Sequence, residues 1–146
     1  YFSNDIDGRK IIISRTGIPK LVQSDESLLT HILSNLISNS FKYSVGSSIP
    51  VMRISYLENL FTIEIIDFGI GIPEQEIKHL FQSFYRGSNT ATIKGSGLGL
   101  IIAKQFTELL GGKISIASKI NENTTVTLTF PYKNQIKVRK INSLFI

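Results

Sequence analysis

From Phe61 to Ile65 apolar side chains alternate with Thr62 and Glu64, the period-two pattern of a strand with one buried and one wetted face. The alternation returns at Ile114 and Ile116 and again at Val126, Leu128 and Phe130, and predicts two further strands near the end of the chain. A short apolar run from Lys10 to Ser14, broken by Gly17-Ile18-Pro19, predicts a strand near the start, and Pro50 to Tyr56 pairs with Leu60 to Asp67 through a tight Glu58-Asn59 turn. Leu29, Ile32, Leu33 and Leu36 repeat every three or four positions. They predict a helix reaching about Tyr43 from Ser24 or Asp25, each a suitable N-cap. A second long helix is expected from about Leu98 to Leu110, stopped by Gly111-Gly112. A short one should follow Pro73, with Glu74 and Glu76 at the positive end of its dipole. Residues 87–95 lack periodicity and read as a mobile loop. Strands with one wet face need helices on the other side only, so the expected fold is an α/β two-layer sandwich, a mixed sheet with helices on one face.

The remaining composition narrows the class. At 146 residues and 42% hydrophobic, the chain suits one domain, assigned to residues 1–132, with a tail at 133–146 that is basic and apolar by turns and reads as an extra strand or a linker. Zero cysteines exclude disulfides and thiolate metal sites and agree with a cytoplasmic location. No apolar run is long enough to span a bilayer, and no secretory leader is visible; a start at Tyr1 suggests a fragment whose parent has room for a membrane anchor. The net charge of +5 suits an anionic ligand or an acidic partner. Nucleic acid is not expected as a partner, because the cationic residues form no stripe with interleaved aromatics.

Two glycine motifs carry the first chemical signal. Asp67-Phe68-Gly69-Ile70-Gly71-Ile72-Pro73 places a carboxylate at a strand end, able to accept from an amino group such as that of adenine. Gly95-Ser96-Gly97-Leu98-Gly99-Leu100 opens a helix whose bare amides suit phosphate oxygens. On the first long helix His31, Asn35, Asn39 and Lys42 are spaced by four, four and three residues and share one face beside the apolar stripe. Asparagine is a mediocre helix former, and its side-chain oxygen is a neutral, hard ligand for the Mg²⁺ that accompanies substrate phosphates. Lys42 can meet phosphate charge.

In this order the motifs resemble those of the catalytic and ATP-binding domain of bacterial sensor histidine kinases, within the Bergerat-fold superfamily of gyrase, heat-shock chaperone and mismatch-repair ATPases. The resemblance spans about residues 9–132: an N box from His31 to Ser44, a G1 box from Asp67 to Gly71, an F box from Phe81 to Arg86 and a G2 box from Gly95 to Leu100. It implies ATP and Mg²⁺ as the ligands. Asn39 would hold the Mg²⁺; Asn35, Lys42 and Tyr43 would line the phosphate and ribose side; and Asp67 would read the adenine amino group. Gly69 and Gly71 would let the backbone pass close to the base. Gly95, Gly97, Leu98 and Gly99 would hinge a loop over the triphosphate and start the next helix. His31 would support phosphoryl transfer, Arg86 would reach the terminal phosphates or a partner surface, and Phe81 and Phe84 would pack.

The resemblance also suggests a reaction. Superfamily hydrolases carry a glutamate as general base four residues before the metal-binding asparagine, where this chain has Asn35, and an amide cannot take a proton from water. Phosphoryl transfer to a histidine on a separate helical dimerisation domain is therefore implied, with a response-regulator receiver domain downstream. Alternatives are a non-catalytic nucleotide-binding or scaffold module of the same fold, and a hydrolytic ATPase of the superfamily. The family's phosphoacceptor motif is missing from the chain, and His79, ahead of the F box, suits a surface position. Ser40 stands where alanine is usual, and Asn121-Glu122-Asn123-Thr124 replaces the glycines usual in the last hairpin, although asparagine tolerates left-handed turns. Asp67-Phe68-Gly69 also spells the metal-binding triplet of eukaryotic-type protein kinases, but no His-Arg-Asp catalytic loop accompanies it. The spacing of the Gly95 motif does not fit a dinucleotide fold.

Overall fold

A computed structural model describes residues 10–44, 46, 48–90, 93 and 96–132. The elements run β1 (Ile12–Thr16), α1 (Glu26–Tyr43), β2 (Val51–Tyr56), β3 (Leu60–Asp67), α2 (Glu74–Ile77), a single 3-10 turn at Ser88–Thr90, α3 (Gly99–Leu109), β4 (Lys113–Lys119) and β5 (Asn123–Pro131). Five strands form one mixed sheet in the order β1-β2-β3-β5-β4, with β1 parallel to β2 and every other pair antiparallel. Helices α1 and α3 pack on each other and on one side of it, the two-layer sandwich expected from the one-sided alternation.

The core is the meeting of that alternation with the α1 stripe. Phe61, Ile63 and Ile65 of β3 and Val126, Leu128 and Phe130 of β5 face Leu29, Ile32, Leu33, Leu36 and Ile37 of α1, all buried. Phe61 stacks on Phe130 at 5.2 Å. Asp25 is the N-cap of α1, its carboxylate accepting from the Leu28 N–H at 3.0 Å, which decides between the two candidate caps. Ser40, in place of the usual alanine, is buried and donates to the Ile37 carbonyl at 2.8 Å, so its hydroxyl is accommodated within the helix. Asn121 takes the left-handed turn of the β4–β5 hairpin at φ 58°, as the missing glycines required.

Three expectations need correction. The first strand lies two residues later than Lys10 to Ser14, because its register is set by parallel pairing, Ile12 opposite Val51, and not by its own apolar run. Phe84 does not pack. It is 73% exposed at φ 63°, and its backbone lies against Gly97: a Cβ on Gly97 would sit 2.9 Å from the Phe84 carbonyl carbon. Residues 87–90 are not an irregular loop but a hydrogen-bonded turn, with the Thr90 N–H and hydroxyl both donating to the Gly87 carbonyl at 3.0 and 2.7 Å. The rest of that segment, except Ile93 (positions 91, 92, 94 and 95), and the tail at 133–146 lie outside the described residues.

Candidate functional site: a nucleotide-sized cleft

A cavity of about 530 Å³ opens where the helices meet the carboxyl end of β3. Asn35, Asn39, Lys42 and Tyr43 of α1 form one wall, Ile65 and Asp67 of β3 with Ile116, Thr124 and Val126 of β4 and β5 form the floor, and Leu80, Tyr85, Arg86, Gly87, Asn89 and Thr90 form the opposite wall. The start of α3, from Ser96 to Leu100, closes the end. The volume suits a ligand of nucleotide size.

Asp67 is the last residue of β3 and only 7% exposed. It pairs in register with Thr124 of β5, and its Oδ1 accepts from the Gly69 N–H at 3.1 Å. Burial pushes its pKa from 3.8 up to about 6, and the Gly69 hydrogen bond opposes that rise without cancelling it. A partly desolvated carboxylate with unused acceptor capacity favours a ligand N–H donor such as an exocyclic amine.

The loop after Asp67 is held from both sides. The Tyr43 carbonyl, at the end of α1, accepts from the Ile70 N–H at 3.3 Å, the Ile70 carbonyl accepts from Asn121 at 3.0 Å, and the Ser118 hydroxyl accepts from the Ile72 N–H at 2.9 Å. A Cβ on Gly69 would sit 2.2 Å from the Tyr43 carbonyl oxygen, and one on Gly71, at φ 64°, would sit 2.3 Å from the Lys119 carbonyl oxygen. Both glycines are thus required by close approach of the protein's own backbone, a different neighbour from the base that the sequence suggested.

At the other end, Gly99 brings the first turn of α3 against α1, its Cβ position lying 3.6 Å from Asn35 Oδ1 and 3.7 Å from Asn39 Nδ2. The N-cap, Leu98, provides no side-chain acceptor, so the amides of this first turn meet the cavity uncapped. Uncapped amides at the positive end of a helix dipole suit an anion. Lys42 lines the same cavity, its Nζ 4.9 Å from the Tyr43 ring centre and 3.4 Å from the Tyr43 hydroxyl.

Of the residues expected at the site, Asn35, Asn39, Lys42, Tyr43, Asp67, Gly71, Arg86, Gly97, Leu98 and Gly99 line one cavity, and Gly69 braces its rim. His31 does not line it: exposed on α1, it sets its ring edge-on to Phe106 of α3 at 6.1 Å. Arg86 lines the mouth but donates to the Thr90 carbonyl at 2.9 Å and to that of Ile93. Gly95 lies outside the described residues. Thr124, Ser118, Tyr85 and Asn89 went unnoticed as site residues. Thr124 had a visible signal, a lone polar side chain on the buried face that continues through Val126, Leu128 and Phe130. Tyr85 was marked only as a member of the F box, and Asn89 had no signal, since a long-range bond to the Gly71 carbonyl places it.

ATP fits this donor set: a buried carboxylate, the uncapped amides of α3 and the cationic Lys42 line one cavity. No group of three or more His, Cys, Asp and Glu able to hold a metal occurs among the described residues. The neutral oxygens of Asn35 and Asn39 therefore suit a cation that is carried partly by ligand phosphates.

Comparison with known proteins matches residues 24–134 to the family of histidine kinase-, DNA gyrase B- and HSP90-like ATPases. The chain is 39% identical over 118 residues to sensor histidine kinase WalK of Bacillus subtilis (78% of this chain, 19% of that protein). It is 38% identical over 124 residues to sensor histidine kinase YcbM of the same organism (84% and 40%). The chain thus spans less than half of either relative. Among solved structures, a mycobacterial sensor histidine kinase, MprB, superposes with a TM-score of 0.70 at 28% identity, covering 83% of this chain and 81% of that one. Full-length ShkA in complex with AMPPNP shares the fold at a TM-score of 0.71 and 21% identity, covering 84% of this chain and 26% of that one.

Proposed function

The chain belongs to the family of histidine kinase-, DNA gyrase B- and HSP90-like ATPases, and from that membership we propose that it is the ATP-binding, phosphoryl-donating part of a sensor histidine kinase. Asp67 is the only carboxylate among the described residues that line the cavity, and it lies at the β3 end, whereas Asn35 and Asn39 stand beside the start of α3. That observation carries the reading. A hydrolase needs a base near the terminal phosphate, and the amide of Asn35 cannot serve as one.

In this proposal Asp67 accepts from the adenine amino group, and the first-turn amides of α3 and Lys42 neutralise phosphate charge. Asn39, with Asn35 beside it, holds the Mg²⁺ that travels with ATP and supplies further charge neutralisation. Tyr43 lines the ribose side, and Gly95, Gly97 and Leu98 shape the segment over the triphosphate. The nucleophile comes from outside. A neutral imidazole nitrogen of a helical dimerisation and phosphoacceptor domain forms the N–P bond as the bond to ADP breaks, and the phosphoryl then passes to a receiver domain. Positioning supplies most of the rate. His31, on the exposed face of α1, would act at the junction with that partner. No helix among the described residues is long and apolar enough to cross a membrane, and the domain is assigned to the cytoplasmic side of a parent protein that is itself free to be anchored.

The test is incubation with labelled ATP, with and without the helical partner. An acid-labile, base-stable label on the partner and negligible phosphate release by the domain alone are expected. Rapid release without transfer would point to a hydrolase, and no Mg²⁺-dependent ATP binding would point to a scaffold module.

A further inference from the structure

One wall of the cavity is built differently from the others. Residues 85–90 are joined to the fold chiefly by side chains reaching across from outside the cavity. Glu76, on α2, accepts from the Ser88 N–H at 3.0 Å through Oε2 and from the Ser88 hydroxyl through Oε1. The Ser88 bonds, with a smaller effect of the neighbouring Tyr85 phenol, hold Glu76 below the usual carboxylate range. The His79 ring tilts against the Tyr85 ring at 5.6 Å. Gly87 lies so close that a Cβ there would sit 3.2 Å from Glu76 Oε2. Asn89 then donates to the Gly71 carbonyl at 2.9 Å, tying the turn to the Asp67 loop. Tyr85, Gly87 and Asn89 line the cavity, whereas Glu76 and Ser88 do not.

We propose that Glu76 is a positioning residue for the nucleotide site: one carboxylate outside the cavity gathers the backbone N–H and the hydroxyl of Ser88, and so holds the wall to which Tyr85, Gly87 and Asn89 belong. The inference rests on the nucleotide reading of the cavity. Its physical basis is that a short polar turn buries too little to hold its own shape and takes its order from charge-assisted hydrogen bonds. The outer wall is then fixed as far as Thr90 before any ligand arrives.

Amide exchange of the free protein and calorimetry with ATP and Mg²⁺ test this on Glu76→Ala, Glu76→Gln and, as a control for charge on the same helix, Glu74→Ala. Glu76→Ala should speed exchange across 85–90 and weaken ATP about three- to tenfold, the scale of one or two exposed hydrogen bonds. Its melting temperature should not change. Glu76→Gln keeps an acceptor for the Ser88 N–H and a donor for its hydroxyl, and should restore most of both properties. With the phosphoacceptor partner supplied, the change should fall on KM for ATP and not on kcat. Wild-type exchange and affinity in Glu76→Ala would overturn the proposal, as would an equal effect of Glu74→Ala. If the unaltered protein fails to bind ATP, the nucleotide reading fails, while faster exchange in Glu76→Ala, or its absence, still decides whether Glu76 holds the wall.

Discussion

Two parts of the cavity wall are held by different physics. Around Asp67 the backbone is wedged between α1 and the β4–β5 hairpin, with carbonyl oxygens where side chains would otherwise be and with the buried neighbours Ser44 and Thr124. Across the cleft, exposed residues such as Ser88, Asn89 and Phe84 hang on a few side-chain hydrogen bonds. In the proposed function the base would therefore meet a pocket fixed by core packing, whereas the outer wall is held by surface bonds. A ligand should find the first ready and complete the second.

The largest effect that would test this division is Asn39→Ala. Losing the cation ligand should cost about a hundredfold in Mg²⁺-dependent ATP affinity, some 3 kcal/mol, with the fold intact. Calorimetry with and without Mg²⁺ measures it, and unchanged affinity with Mg²⁺ present would remove the metal role.

Asp67→Asn should cost about one to two powers of ten in ATP affinity, because it removes a hydrogen bond to a charged acceptor worth ~1.5–3 kcal/mol. It should also blur discrimination against GTP, since an amide can turn to donate. Equal binding of ATP and GTP by the unaltered domain would contradict the role.

The same carboxylate should give affinity and stability opposite pH dependence. Its folded pKa of about 6 stands above the ordinary 3.8, so the folded state binds the proton more tightly than the unfolded chain. That contribution favours folding fully below about pH 4 and is lost as pH rises through about 6, at most about 3 kcal/mol for a shift of roughly two pH units. Nucleotide, which needs the ionised form, should bind less well as pH falls through about 6. Urea titrations at several pH values should show this slope, and Asp67→Asn should flatten it; a slope that survives the substitution belongs to other groups.

The smallest expected effect is His31→Ala. Because the ring lies on Phe106 outside the cavity, ATP affinity should stay within about twofold, a surface-sized change. Any loss should appear in transfer to the partner, and a large loss of affinity would place His31 nearer the ligand than its observed position.

Much of this molecule could be read from its chain because the relevant signals are periodic. The β3 alternation and the Leu29–Leu36 stripe determine which faces meet, and the short-range grammar of Asp25, Asn121 and Gly111 follows from backbone sterics. The N box and the two glycine motifs named the cavity. Long-range placement was hidden. That a Cβ on Gly69 would strike the Tyr43 carbonyl, that the Phe84 backbone lies against Gly97, and that Glu76 reaches Ser88 all depend on pairs distant in sequence. No window of residues contains them. Glu76 was visible only as a charge suited to a helix dipole, a role compatible with its position and unrelated to its bonds.

The contact between Gly97 and Phe84 brings together the two ends of the segment between them, so the chain leaves the fold and returns to it at nearly one place. A segment closed at its base can change length without moving either anchor. Each doubling of such a loop costs only ~0.6 kcal/mol in closure entropy. Insertions or deletions beyond Thr90 would therefore leave the Asp67 pocket and the α3 amides where they are. Length in this segment and the geometry of the Asp67 pocket are thereby uncoupled.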